Sequence, residues 1–230
     1  MSGGIRWLPP RGAMVETHPV TFRGWPSEAL EFYDGLNADN SKSYWTAHLT
    51  VYETQVRAPM EELLAALEPE FGPAKIFRPY RDVRFSKDKS PYKNHLAASL
   101  PDAGYIQLSA EGLATGTGMY HMAPDQLDRY RRAVADEWSG KELTDRIAAL
   151  ERAGIGVLGR DSLKTTPRGY PKDHPRLALL RHKGLVAWQE WEPAAWLGTA
   201  AAKNRVVGFL RAGRPLREWL DTHVGPPAAG

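Results

Sequence analysis

Between Arg78 and Lys93 the chain carries six cations (Arg78, Arg81, Arg84, Lys87, Lys89 and Lys93) against two anions, Asp82 and Asp88. Charge this dense and this one-sided does not enter a core, and Pro79 and Pro91 keep it out of a helix interior. Internal carboxylates, an anionic ligand or plain solvation must organise it. The stretch holds +4, whereas all 230 residues net +3, so everything outside it nets −1. Rings are threaded between the charges at Phe77, Tyr80, Phe85 and Tyr92. The alternation over Tyr80–Ser86 predicts a strand, with Val83 and Phe85 towards the core and Asp82 and Arg84 on the other face. Ser90 is pushed to extended backbone by Pro91, so Lys87 to Lys93 is expected to leave that strand as a loop.

Residues 1–20 show no periodicity and read as a flexible tail, 21–223 as one domain, and 224–230 as a C-terminal tail. Ala29, Phe32, Tyr33 and Leu36 fall at helical spacing, and Asn37 to Asn40 ends that helix. Ser41 is placed to cap a longer helix whose stripe is Trp45, Leu49, Tyr52, Val56, Met60, Leu63 and Leu67, with a kink expected at Pro59. Tyr105–Ser109 and Leu113–Tyr120 read as strands of a hairpin turning at Glu111-Gly112. The second strand puts Ala114, Gly116 and Gly118 on one almost bare face. A bare face suits a packed helix or a closely approaching ligand, and the packed helix is the reading favoured here.

Pro124 opens a helix through Tyr130 and Val134, Ser139 is expected to cap the next, and Gly154 closes it. Strands are expected at Ile155–Leu158 and Leu185–Trp191, and a short helix from Pro175 to Leu180. A helix from Pro193 should break at Gly213-Arg-Pro215 and resume over Leu216–His223. Strands and helices do not alternate strictly. The expected fold is therefore α+β, a single domain with a mixed or antiparallel sheet packed against several helices.

With no cysteine, the chain has no disulfide, no thiolate metal site and no thiol nucleophile. No apolar run approaches the ~20 residues of a membrane span, and no charged segment followed by an apolar one opens the chain. A cytoplasmic address without a membrane partner is the expectation. Nothing in the residues names a cofactor.

A second basic stretch, Arg160 to Arg176, has five cations and two anions. Arg offers a bidentate fork to phosphate or carboxylate, Lys a mobile point charge, and Tyr a stacking surface. The leading expectation is that both stretches converge on one cleft for a phosphate-bearing or otherwise anionic small ligand. Arg81, Arg84, Lys89, Lys93, Lys164, Arg168 and Lys172 would face it. Should the cleft be catalytic, as in hydrolysis, Asp82 and His174 are the acid–base candidates, because neighbouring cations would tune them. No metal site is expected, since paired-ligand spacings are missing, and the GxSxG elbow of a serine hydrolase is missing too. Two other readings stay open. A surface basic stripe with exposed rings would make the chain a nucleic-acid-binding module, and full internal pairing would make it a structural or partner-binding protein.

Four blocks carry a family likeness: Asn37 to Trp45, Phe77 to Lys93, Tyr105 to Gly118, and Leu163 to Pro175. Together they resemble the family known as domain of unknown function 2461, over roughly Phe22 to Trp191. The departures are Asp39, where the family has Asn, and Tyr44-Trp45, where it has Trp-Phe. The resemblance implies a soluble, single-domain protein and supplies no activity or cofactor.

Overall fold

The computed structural model describes residues 21–228, so the tail expected over 1–20 lies outside the described residues. Six strands form one antiparallel sheet: β1 (Lys75–Ile76), β2 (His95–Leu100), β3 (Gly104–Ser109), β4 (Gly112–Met119), β5 (Gly156–Arg160) and β6 (Gly184–Trp191). Their order across the sheet is β1-β2-β3-β4-β6-β5. Helices α1 (Ser27–Ala38), α2 (Lys42–Val51), α3 (Ala58–Phe71), α4 (Pro124–Ala135), α5 (Glu137–Arg152), α6 (Leu177–Leu180) and α7 (Ala201–His223) complete an α+β fold.

Period-2 burial sorts the sheet into two faces. Leu96, Ala98, Leu100, Ile106, Leu108, Leu113, Leu185 and Ala187 point to one side and are buried in the core. Helix α7 lies against β4 there, close enough that a Cβ on Gly213 would sit 2.4 Å from Thr117 Cγ2. That contact explains why Gly213 and Pro215 do not break the helix as expected. Gly213 is the small residue at the sheet contact, Pro215 is exposed, and Arg146 donates to the Pro215 carbonyl. The favourable packing of one continuous 23-residue helix outweighs the local cost of both residues.

Helices α2 and α3 run on through a π-helical segment, Tyr52–Arg57. This is how the chain handles Pro59, which then sits in the first turn of α3, where its missing N–H costs little. The Trp25 indole donates to the Val56 carbonyl at 3.1 Å, satisfying a group of the irregular turn. The predicted stripe is buried except for Leu49, which is 43% exposed. Ser41 caps α2 as expected, accepting from the Tyr44 N–H at 3.1 Å. The cap of α5 is Asp136 rather than Ser139; its carboxylate accepts from the Trp138 and Ser139 N–H groups. Beyond α7, Gln126 donates to the Gly225 carbonyl and Asp125 accepts from the Ala228 N–H, so the segment expected as a tail is pinned to α4.

The strand expected over Tyr80–Ser86 does not form. Only the bridge Tyr80↔Tyr92 pairs there, and Phe85 is 96% exposed instead of facing the core. The strand beside β1 is β2, which begins just after the charged stretch. Local side-chain bonds from Asp82 and Asp88 outcompete a ladder that has no partner strand within reach.

Candidate functional site

The basic stretch is a loop with a stem and a tip. In the stem, Arg81 N–H donates to Pro91 O at 2.9 Å and Lys93 N–H to Pro79 O at 2.8 Å. The Asn40 side chain then acts as a surrogate strand edge. Its Oδ1 accepts from the Tyr92 N–H at 3.1 Å, and its Nδ2 donates to Tyr92 O at 3.1 Å and to Asn94 Oδ1 at 2.8 Å. Trp45 stacks on Tyr92 with centroids 4.3 Å apart and planes 6° from parallel. In the tip, Asp82 holds Arg84 through its guanidinium at 2.7 Å, and the same hydrogen bonds hold its carboxyl below the usual range. Asp88 accepts from the Ser90 hydroxyl and N–H and from Arg81, which drives its carboxyl lower still. Both acids are spent on bracing the loop.

Lys89 donates to the Val83 carbonyl at 3.0 Å, and Lys93 Nζ lies 5.5 Å from the centre of the Phe77 ring. Asp82 is a poor general base in this setting, because Arg84 stabilises its ionised form. In the second stretch, His174 Nδ1 accepts from the Arg176 N–H at 3.0 Å, a turn contact at the entry to α6. The Arg176 guanidinium is taken up by the carbonyls of Val134, Ala135 and Asp136. Lys164, Arg168 and Lys172 are exposed and make no ion pair among the described residues.

The structure does not bring the two stretches to one cleft. The first leaves the sheet between β1 and β2, at the end where Ser109 pairs with His95. The second leaves between β5 and β6, where Arg160 pairs with Gly184, at the opposite end. β1 and β5 are the two outer strands, five spacings or roughly 24 Å apart. Asp82 and His174 are likewise separated, and of the expected ligand-facing cations Lys93 stands over the Phe77 ring.

Among the described residues no helix covers the second face of the sheet, in place of the packed helix expected over Ala114, Gly116 and Gly118. That face lines a groove of about 800 Å³ together with Arg217 from α7. Register explains its composition. Gly116 stands between Tyr105 on β3 and Trp188 on β6, and the two rings lean together over it with centroids 5.9 Å apart. A Cβ on Gly116 would lie 2.6 Å from the Trp188 ring, so only glycine leaves the indole flat against the strand. Phe77 continues the row, 6.3 Å from Tyr105. At the other end the Arg160 guanidinium lies 4.3 Å over the Tyr120 ring and donates to its hydroxyl, with no carboxylate partner among the described residues. Arg217 is partly neutralised by Asp221, and Glu190 accepts from the Trp188 indole at 2.7 Å. Sequence reasoning flagged the bare face and the Arg160 stretch separately. Trp188, 28 residues beyond Arg160, carried no local signal and joins them only through strand pairing.

His95, at the groove-distal start of β2, is held neutral. Burial lowers its pKa first and Lys93 adds to that, while Glu111 opposes. His182 is lowered by burial too. In both cases the unfolded chain takes up the proton at higher pH than the folded one. Stability is therefore present above the ordinary histidine value of about 6.5 and falls as pH drops through it. Calorimetric melting temperatures should decline between about pH 7.5 and pH 5.5, and His95→Gln should flatten that slope. An unchanged slope in the variant would assign the pH dependence elsewhere.

Among the described residues no three His, Asp or Glu side chains converge as a metal site would need, and no helix is long and apolar enough to cross a membrane. A family model described as a conserved hypothetical protein, DUF2461, matches residues 28–219. No curated protein and no solved structure matches the chain.

Proposed function

The chain belongs to the DUF2461 family, and we propose that it binds a ligand with a planar ring and an anionic group on the open face of its sheet. The observation that carries this is Arg160, a cation without a carboxylate partner among the described residues, set at the end of a groove floored by the Tyr105–Trp188 pair. Rings stack on such a floor, and a half-buried guanidinium is worth most to an anion where bulk water screens it least. The anionic ligand expected from the sequence is thus kept, but its seat moves from the two loops to the sheet between them. A cytoplasmic address belongs to the same reading, since phosphate-bearing molecules do not cross a bilayer unaided. Binding rather than hydrolysis is proposed, because Glu190, the carboxylate lining the groove, is engaged by Trp188.

Isothermal titration with mononucleotides and aryl phosphates tests the reading. Arg160→Ala should weaken the charged ligand roughly 10- to 100-fold, the worth of a charge-assisted hydrogen bond, and leave its uncharged nucleoside unaffected. Trp188→Leu should weaken both. Equal affinity of wild type and Arg160→Ala for every anion tried would remove the proposal.

A further inference from the structure

Resting on that groove, we infer that its occupant is a single-stranded nucleic acid, laid across the sheet from Arg160 and continuing onto the basic loop between β1 and β2. The rings form a connected row that one nucleotide cannot fill. Trp188 and Tyr105 are 5.9 Å apart, Tyr105 and Phe77 6.3 Å, and Lys93 stands over Phe77. Beyond Phe77 the chain runs into the loop, which adds exposed rings of its own: Phe85, 96% exposed, and Tyr80, which packs on Trp45 and Tyr92 and is still 52% exposed.

The loop is built to present those rings. Its stem is tied by two backbone bonds and by Asn40, and its two acids are consumed inside the tip. Arg78 and Lys87 make no ion pair among the described residues and are exposed in the same stretch. Cations and rings in alternation match the alternation of phosphate and base in an unpaired strand. Stacking requires bases free of a duplex, so a double helix does not fit the row. An acidic protein would use the cations but would leave the rings along the sheet without partners, so the nucleic acid is favoured. With four phosphates met by Arg160, Lys93, Arg78 and Lys87, the logarithmic salt slope should be about −3, or roughly 50-fold weaker binding from about 50 mM to about 0.2 M salt.

The experiment is fluorescence anisotropy of the full chain with labelled oligo(dT) of about twelve nucleotides, the matching duplex, a thymidine mononucleotide and a polyglutamate peptide. The single strand should bind well above the mononucleotide and the duplex, with the slope given. Phe85→Ala, at a side chain 96% exposed and met only by the solvent-facing Arg84 guanidinium 5.9 Å from its ring centre, should weaken the oligonucleotide about tenfold and leave mononucleotide affinity and melting temperature unchanged. Mononucleotide bound as tightly as the oligonucleotide would overturn the single strand while sparing the groove proposal. Duplex bound as well as the single strand, or an oligonucleotide indifferent to Phe85→Ala, would overturn it in favour of unspecific charge attraction. Preference for polyglutamate with the same Phe85 dependence would overturn it in favour of an acidic protein. Failure of every nucleotide and every aryl phosphate would remove both proposals.

Discussion

Asn40→Ala is expected to lower the stability of the fold by about 3 kcal/mol and to release the basic loop from the helices. Three hydrogen bonds end on this one amide, two of them to the peptide groups of the buried Tyr92. Each such bond contributes about 1 kcal/mol net, and a buried peptide group left without a partner costs more than the bond it loses. Asn40→Asp keeps the acceptor for the Tyr92 N–H but sets a carboxylate oxygen against the Tyr92 carbonyl, so it should not rescue. Urea denaturation should show a lower midpoint with an unchanged slope, and limited proteolysis should open new cuts within residues 81–90. A variant as stable as wild type, with the loop still protected, would show that Trp45 stacking and the Tyr80↔Tyr92 bridge hold the stem without Asn40.

Asn40 also shows where the sequence was readable and where it was not. The breaker over Asn37 to Asn40, the cap at Ser41 and the stripe from Trp45 are local signals, set by spacing and side-chain type, and each has its counterpart in the structure. What Asn40 bonds to lies 52 residues on, and no local rule reports that distance. The strand misplaced onto Tyr80–Ser86 is the same limit seen from the other side. Val83 and Phe85 have strand propensity, but a strand needs a neighbour, and β1 pairs with His95–Leu100 instead. Alternation was thus a sound guide to conformation only where pairing supplied the second half of the ladder, as in the hairpin of β3 and β4.

The groove was half legible for a comparable reason. The bare face of Gly116 and Gly118 stood out, yet a chain of this size usually buries such a face under a helix. The helices here pack on the other side, because that side carries the continuous aliphatic set on β2, β3, β4 and β6. The face left over bears Tyr105, Gln107, Trp188 and Glu190, side chains with a polar end that tolerate water. The two basic stretches look alike because both are surface loops at sheet edges, and likeness of composition does not imply nearness.

Gly116→Val should weaken ligand binding on the sheet face roughly 10- to 100-fold, while the chain still folds. The obstacle to a Cβ is the six-membered edge of the Trp188 indole, 2.6 Å away, and not backbone. The indole can swing aside, so the destabilisation should stay near 1–2 kcal/mol, at the low end for overpacking, with part returned by the strand preference of valine. Once displaced, the ring no longer lies flat beside Tyr105, and stacking worth about 1–3 kcal/mol per base is lost with it. Gly118 makes a useful contrast. Its φ is +125° and its Cβ would meet the Leu185 carbonyl oxygen at 2.3 Å, so substitution there strains the ladder itself and should unfold rather than merely disarm. Combining Gly116→Val with Trp188→Ala separates the two effects. Removing the indole relieves the overlap, so the double variant should be more stable than the sum of the single changes, with binding still weakened. Wild-type affinity in Gly116→Val would mean that the ligand does not use the Tyr105–Trp188 floor, whatever its stability.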